Sequence, residues 1–351
     1  MLSRVAERLF WTTRYIERAE NIARFLEVNQ NLVLDAKRPS DRSRWQPLID
    51  TTGDAAEFAD RYGECSAASV KQFLIFDREY LNSIVTCLSA ARENARQIRE
   101  TISQPMWEEI NTFYLYMRQI AENDDLRRKA LESPTETLKD VRRHSHTLHG
   151  MTNATMSHDE AFHVARLGRL LERAEKTSRI LDVRFGQIEQ DGSSSPVRDT
   201  TELTALLKSA SALHMYRRAH GSITLRGVSE FLLRNKSFPR SIRSCLTEAD
   251  RSLHEVSGTH KNDYGSQSEQ LLGQLRSDLE FTDPDTFFGD SRHEAIDRFQ
   301  TRLNEIGQAI GRDLFMLRPR EEMQQTMSRQ SGRMRQSLGG MSQSMRSSGS
   351  R

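Results

Sequence analysis

The sequence predicts an all-α fold: a helical bundle made of two diverged copies of one multi-helix unit, with a disordered C-terminal tail. Three observations predict it. Only 8 prolines and 18 glycines occur among 351 residues, so long stretches contain no helix breaker. Leu, Ala, Glu and Arg dominate these stretches, and no alternating strand pattern interrupts them. Two pairs of segments also match each other in the same order, which is typical of a duplication.

The first matching pair lies in two charged helices. Residues 14–28, RYIERAENIARFLEV, and residues 169–183, RLLERAEKTSRILDV, share 8 identities in 15 positions at an offset of 155. The second pair is VKQFLIFDREYLNSIVTCLSAA at 70–91 and VSEFLLRNKSFPRSIRSCLTEA at 228–249, at an offset of 158. Because order, spacing and residue types agree, we interpret the chain as an internal duplication.

Breakers and capping residues place the helices of each copy. In the first copy we expect helices at about 3–33, a stretch ending near 61, then 70–76, 82–102, 107–121 behind Pro105, and 135–155; in the second, at about 158–188, 200–219, 227–233, 237–256, 266–279 and 291–317. Residues 190–199 are expected to form an exposed loop. The helical domain then spans 1–317, with internal copies at about 1–156 and 157–317.

The last residues, 318–351, are rich in Met, Ser, Gln, Arg and Gly. Such a segment buries too little apolar surface to offset its ordering entropy, so we expect a disordered tail. Its arginines could contact an acidic partner or RNA, and a solubilising tail is the alternative.

Composition also limits the class of protein. A net charge of +2 argues against a protein that mainly coats nucleic acid, so such contact is expected only through the tail. No apolar run is long enough to span a membrane, and MLSRVAERLFW does not have the pattern of a signal peptide. Three cysteines, Cys65, Cys87 and Cys245, suit a reducing compartment, and we expect a cytoplasmic protein.

Charged residues stand beside an apolar stripe in both matching helices. The stripe of the first helix recurs at steps of three and four: Val5, Leu9, Thr12, Ile16, Ala19, Ala23 and Leu26. Glu20 precedes Arg24 by four residues, the order that favours a helical ion pair. The candidate polar site consists of Arg14, Glu17, Arg18, Glu20 and Arg24, the matching Arg169, Glu172, Arg173, Glu175 and Arg179, and Asp77, whose counterpart is Asn235.

Two interpretations of these charges stay open. In the structural one they are surface or interhelix salt bridges, individually weak where exposed, about 0–1 kcal/mol each. In the functional one the two helices bring their clusters to one polar site, where arginines bind carboxylate or phosphate and the glutamates orient them, bind a metal, or act as acid and base.

Other chemistry is not indicated, and we expect no metal and no cofactor. A di-metal carboxylate bundle needs Glu-x-x-His pairs, whereas the repeated pattern is Arg-x-x-Glu-Arg. The run HSHTLHG, with His144, His146 and His149, is expected to be solvated. Phosphate-binding and nucleophile-elbow motifs are absent from the sequence. Residues at equivalent positions are expected to be structural: small core residues at Cys87 and Cys245, and helix caps at Ser83 and Ser241.

These segments resemble the bacterial alpha-E domain family. The resemblance is carried by LSRVAERLFWTTRYIERAENIARFLEV, by FLIFDREYLNSIVTCLSAARENARQIRETIS with Trp107, and by RLGRLLERAEKTSRILDV with FPRSIRSCL, over about residues 1–317. Thr13 departs from the family pattern, which usually has Gly before the Arg, whereas Gly168 keeps it. The resemblance implies an all-helical fold and an association with a circularly permuted ATP-grasp protein and a transglutaminase-like protein.

Two functions follow as hypotheses. The first is a non-catalytic, accessory helical protein of an ATP-grasp-type amide or peptide ligase system, which binds its partner or a peptide through a duplicated Arg/Glu face. The second is an enzyme with a helical active site that uses the paired Glu and Arg clusters in peptide or amide chemistry.

Overall fold

A computed structural model of the chain describes residues 1–35, 41–190, 196–261, 263–281 and 292–316. Within these ranges the chain is all-helical and contains no strand, so the predicted fold class is confirmed. The helices are α1 Ser3–Asp35, α2 Asp41–Thr52, α3 Ala55–Tyr62, α4 Ala67–Lys71, α5 Ile84–Gln97, α6 Gln104–Glu122, α7 Asp124–Glu132, α8 Thr135–Thr155, α9 Glu160–Gln190, α10 Pro196–Ser209, α11 Leu213–Ala219, α12 Leu225–Arg234, α13 Ile242–Ser257, α14 Gln267–Phe281 and α15 Arg292–Ile310.

Residues Met1–Leu314 form one compact unit. The predicted tail at 318–351 lies outside the described residues. None of the described helices combines the length and the apolar character that a membrane crossing requires.

Several predicted helix bounds were wrong, for identifiable reasons. The predicted helix at 200–219 is two helices, because Ser211 takes a left-handed conformation between α10 and α11. Gly53, also left-handed, likewise separates α2 from α3. Helix α7 was not predicted; Asn123 opens it by accepting a hydrogen bond from Leu126 N. Pro196 begins α10, so the expected loop at 190–199 is helical at both ends, and 191–195 lie outside the described residues.

The two long helices α1 and α9 lie side by side at the middle of the unit. Their contacts advance in the same direction along both helices, since Thr13 meets Ala165 and Glu17 meets Arg173 farther on. Gly168 permits the closest approach, because a Cβ there would lie 2.8 Å from Thr13 Oγ1 and still closer to the Phe10 carbonyl oxygen. Thr13, the departure from the family pattern, donates instead to the Ala165 carbonyl at 2.7 Å.

Each long helix packs against its own set of neighbours. Helix α1 contacts α5 and α8, and α6 packs on both of these. Helix α9 contacts α13 and α15, and α14 packs on both of these. The predicted caps are confirmed, because Ser83 Oγ accepts from Thr86 N and Ser241 Oγ accepts from Ser244 N at the starts of α5 and α13.

Candidate functional site

The charged residues of the two matching helices lie between α1 and α9, inside the bundle. We call this cluster the Arg/Glu centre; it consists of Arg14, Glu17, Arg18, Glu20 and Arg24 from α1, Arg169, Glu172, Arg173, Glu175, Lys176 and Arg179 from α9, and Arg240 from the turn before α13. Glu17, Glu20 and Glu172 are each 0% exposed. The clusters of the two segments therefore converge, as the shared-site interpretation requires.

Two ion pairs cross between the helices with matching geometry. Arg173 donates to Glu17 from Nε at 2.9 Å and from Nη2 at 2.8 Å. Arg18 donates to Glu172 from Nε at 2.7 Å and from Nη2 at 3.0 Å. Both arginines use two parallel N–H groups, which fixes the carboxylate plane as well as its distance.

Arg14 of α1 also pairs with glutamates of α9. Its Nε donates to Glu172 at 2.8 Å and its Nη2 donates to Glu175 at 3.0 Å. Glu175 also accepts from Arg179, at 3.1 Å, four residues farther along α9. Lys176, which the sequence analysis did not select, stands 3.4 Å from Glu175. Arg14 therefore pairs with the opposite helix.

Arg240 is the main residue that the sequence analysis missed. It donates to Glu17 at 3.1 Å and to both oxygens of Glu20 at 2.7 Å. Its counterpart at the offset of 158 is Asn82, which accepts from Arg18 at 2.5 Å. The sequence contained one signal for this residue. Asn82 and Arg240 each stand one residue before a capping serine, and in both segments the residue at this position reaches the Arg/Glu centre.

Glu20 also binds within its own helix. It pairs with Arg24, so the predicted ion pair over four residues is confirmed. Arg24 is 2% exposed, and its other terminal nitrogen donates to Ser211. Ser211 occupies the left-handed turn between α10 and α11, so this turn delivers a hydroxyl to the buried guanidinium.

The prediction that the histidines of α8 are solvated was wrong for His144 and His149, whose side chains are each 15% exposed, and right for His146, which is 55% exposed. His146 contacts Glu20 Oε1 at 3.0 Å, and His149 Nε2 lies 3.7 Å from Glu17 Oε2. His144 contacts Glu109 at 2.7 Å. The pair His146 and His149 therefore borders the Arg/Glu centre on the side of α8. The run of polar residues in the sequence did not reveal this role.

The arginines keep the buried carboxylates ionised. Burial alone would raise the pKa of Glu17, but Arg173 and Arg240 outweigh it and lower the pKa to about 2. The pKa of Glu20 and the pKa of Glu172 also lie well below the usual value, because their arginine partners overcome the burial. At neutral pH these groups are therefore anions without a proton to donate.

Positive charge exceeds negative charge in the centre. Among the described residues, eight cationic side chains surround four carboxylates. Arg169 has no hydrogen bond or ion pair with another described residue, and its Nε is buried without a partner. Burial, and repulsion from Arg173, lower the pKa of Arg169 to about 10. Burial and repulsion from Arg169 likewise lower the pKa of His149, to about 3, despite the opposing effect of Glu17.

One group of potential metal ligands lies inside the centre: Glu17, Glu20 and His149, with ligand atoms within 4.8 Å of one another. Its carboxylate oxygens already accept hydrogen bonds from Arg173, Arg240 and Arg24. A cation would displace these bonds and add to the excess of positive charge, so this group fits a metal poorly.

Asp77 does not belong to the centre. Its Oδ1 accepts from Glu79 N at 2.8 Å and from Tyr80 N at 3.2 Å, in the turn before α5. Asn235 accepts in the same way from Ser237 N and Phe238 N, at 2.9 and 2.8 Å. Both residues stabilise a turn, which requires an acceptor oxygen and no charge. This explains why the segments differ here.

The geometry agrees with a known family. The model of a family described as a predicted alpha-helical domain with a conserved ER motif, Alpha-E, matches residues 1–315. The chain belongs to the Alpha-E family. In this Alpha-E chain the Glu-Arg pairs Glu17–Arg18 and Glu172–Arg173 supply the crossed ion pairs described above.

Relatives of this Alpha-E chain occur in mycobacteria. An uncharacterised protein of Mycobacterium bovis and two of Mycobacterium tuberculosis are each 24% identical over 302 residues. The match covers 80% of this chain and 33% of each relative, so the chain spans about a third of the length of these relatives. No solved structure matches this Alpha-E chain.

Proposed function

We propose that this Alpha-E domain is a non-catalytic, accessory component of an ATP-grasp-type amide or peptide ligase system. Its partners in this proposal are a circularly permuted ATP-grasp protein and a transglutaminase-like protein. The Arg/Glu centre receives a carboxylate, from a peptide or from an acidic side chain of the partner, at Arg169. The choice of system rests on the association that the resemblance to the alpha-E domain family implies.

Arg169 carries the binding part of the proposal. The matching Arg14 pairs with two glutamates, whereas the corresponding carboxylates on the other side are taken by Arg173 and Arg240. Arg169 therefore forms no direct ion pair with another described residue, although Glu17 lies near enough to attract it, and it stands next to His149, whose Nε2 has no hydrogen-bond partner among the same residues. A partly buried guanidinium without an anion is unfavourable, and a bound carboxylate would restore the balance.

The centre does not form a flat face for a protein partner, as the sequence hypothesis assumed. Glu17, Glu20 and Glu172 are wholly buried and Arg24 nearly so. Arg169, however, is only partly buried, so a single protruding carboxylate can reach it. We therefore revise the mode of binding from an extended face to one anionic group that enters at the edge of the centre.

The enzymatic alternative has less support. A general acid must hold a proton at working pH, but Arg173, Arg240 and Arg18 keep the nearest glutamates ionised. A general base needs a free lone pair, yet the same oxygens accept arginine hydrogen bonds. Binding therefore fits this arrangement better than acid–base catalysis does.

We further propose that the two halves are diverged copies. Equivalent positions perform equivalent tasks: Ser83 and Ser241 cap helices, and Asp77 and Asn235 stabilise turns. The neighbours of α1 and α9 also correspond helix for helix. The unequal residues Asn82 and Arg240 then account for the asymmetry that leaves Arg169 free of a carboxylate.

Co-purification with a circularly permuted ATP-grasp protein from the same organism tests the proposal. The diagnostic variant is Arg169→Gln, because it removes the charge without leaving any carboxylate unpaired. We expect the wild-type chain to form a micromolar or tighter complex, and Arg169→Gln to weaken it about tenfold, the cost of a charge-assisted hydrogen bond of roughly 1.4 kcal/mol.

The matched control is Arg217→Gln, which removes an exposed arginine of α11 and should leave the affinity unchanged. No complex at micromolar concentrations would refute the partnership. A complex that Arg169→Gln binds as tightly as the wild type would refute the role of the centre.

A further inference from the structure

A cavity of about 630 Å³ lies apart from the Arg/Glu centre, between α13 and α14. Its wall includes Asp250, His254, Thr259 and Arg276. The first two are 4% and 6% exposed. A volume of this size is typical of ligand sites, which combine a concave surface with a few converging polar groups.

A chain of hydrogen bonds fixes the imidazole of His254. Glu269 accepts from Ser266 N at 2.8 Å and from Thr259 Oγ1 at 2.5 Å. The only proton of the threonine hydroxyl is used in this bond, so its oxygen accepts from His254 Nδ1, 2.7 Å away. Because Nδ1 donates to the threonine, Nε2 is the ring nitrogen whose lone pair can bind a metal from the cavity.

The Nε2 lone pair of His254 lies next to a second hydrogen-bond acceptor, the Asp250 carboxylate. Nε2 lies 3.8 Å from Asp250 Oδ1, and neither buried atom has a hydrogen-bond partner among the residues that the structure describes. Asp250 precedes His254 by four residues, so one face of α13 presents both groups. Two unpartnered acceptors side by side are unfavourable unless a donor or a cation lies between them.

The neighbouring residues hold this pair in place. Arg276 Nε lies 3.1 Å from Asp250 Oδ2, the oxygen that points away from His254. Tyr264 packs on the imidazole with ring centroids 5.5 Å apart, and its hydroxyl accepts from Arg276 at 3.3 Å. Gly273 makes room for Tyr264, because a Cβ there would overlap its ring.

We propose that Asp250 and His254 bind a divalent transition-metal ion of the zinc class. One imidazole nitrogen and one carboxylate oxygen suit zinc, cobalt or nickel, whereas magnesium and calcium prefer oxygen ligands throughout. Two ligands four residues apart on a helix form a known chelating pair. Metal–ligand distances of about 2.0–2.2 Å bring the two atoms within roughly 3.5 Å, a small change from their present separation.

The remaining surroundings support an exchangeable site. The part of the chain that the structure describes supplies two ligands, so water or a ligand in the cavity would fill the other positions. The relay from Glu269 through Thr259 to His254 is the outer-shell arrangement that orients metal-bound histidines. Arg276 contacts only Oδ2 of Asp250 and leaves Oδ1 free, whereas arginines bind the carboxylates in the group around His149.

Cobalt titration of the full, chelator-treated chain tests the proposal. We expect one equivalent of Co²⁺ to produce visible d–d absorption, which Zn²⁺ then displaces. His254→Gln and Asp250→Asn should abolish this signal, and Thr259→Val, which only removes the outer-shell bond, should weaken binding about tenfold. Circular dichroism checks that each variant stays folded, and Thr259→Val keeps the test valid if another variant unfolds.

Two controls locate the ion. His149→Gln removes the histidine of the Arg/Glu centre, and His214→Gln removes an exposed histidine of α11; both should titrate like the wild type. The proposal is wrong if no Co²⁺ binds, if His254→Gln and Thr259→Val bind as tightly as the wild type, or if only His149→Gln loses the signal.

Discussion

Arg173 on α9 donates two parallel hydrogen bonds to Glu17 on α1, at 2.9 and 2.8 Å. The reverse pair, Arg18 to Glu172, completes the cross. Because each helix supplies one donor and one acceptor, neither helix can rotate or slide without breaking a bond. The Arg/Glu centre therefore fixes the relative position of α1 and α9, whatever ligand it binds.

Removing one carboxylate of this cross should be costly. Glu17→Gln leaves Arg173 and Arg240 buried with one fewer anion, and breaking such a pair typically costs about 3–5 kcal/mol. We expect a corresponding fall in the free energy of unfolding, measured by urea denaturation. Glu93→Gln is the control, because the Arg96–Glu93 pair is exposed and solvent screens it. Equal midpoints for the two variants would contradict the structural role.

The close approach at Gly168 leads to a second prediction. Gly168→Ala forces a methyl group against the Phe10 carbonyl and Thr13, so α1 and α9 must separate. We expect a loss of about 1–3 kcal/mol, typical of overpacking, in urea unfolding. Gly150→Ala and Gly307→Ala, at helical glycines with open space, should stabilise instead by up to about 1 kcal/mol. A neutral Gly168→Ala would show that the helices are not in contact there.

The buried histidine of α8 predicts a pH dependence. The pKa of His149 falls from 6.5 to about 3 on folding, because burial and Arg169 disfavour its charge. Below pH 6.5 His149 is therefore protonated in the unfolded chain and neutral in the folded chain. The free energy of unfolding is thus highest above pH 6.5 and falls as the pH is lowered. The loss between pH 7 and pH 5 is about 2 kcal/mol.

Urea unfolding at pH 7 and pH 5 measures this effect. His149→Gln should lose that part of the pH dependence, since no titratable group remains at the position. His214→Gln, which replaces an exposed histidine, should retain the wild-type dependence. If His149→Gln shows the same fall in stability as the wild type, the imidazole is protonated in the folded chain and the described position of His149 is wrong.

Local patterns were sufficient for much of the fold. The scarcity of breakers predicted the helices, and the stripe through Leu9 and Ile16 is buried as expected. The helix caps at Ser83 and Ser241 were correct because a cap depends on three or four neighbouring residues. Helix α7 was missed because Asn123 ends one helix and begins the next without a proline or glycine.

The burial of the charges could not be read from the same patterns. A helix face with Arg14, Glu17 and Arg18 normally faces solvent, and only pairing with α9 makes its burial favourable. Arg240 joins Glu17 from 223 residues away, so no local spacing indicates it. The assignment of His144 and His149 to solvent failed for the same reason, because their partners lie on other helices.

The turn residues Asp77 and Asn235 provide a last prediction. Asp77 accepts two backbone hydrogen bonds through Oδ1, and an amide oxygen in the same place can accept both. Asp77→Ala removes both hydrogen bonds and should lower the free energy of unfolding by about 1 kcal/mol or more. Asp77→Asn should therefore lower it by less than half as much. The reciprocal change, Asn235→Asp, should be nearly neutral in urea unfolding, and Asn235→Ala should cost as much as Asp77→Ala. If Asp77→Asn is as damaging as Asp77→Ala, the charge itself is required, and the ion pair of Asp77 with Arg61 outweighs the turn.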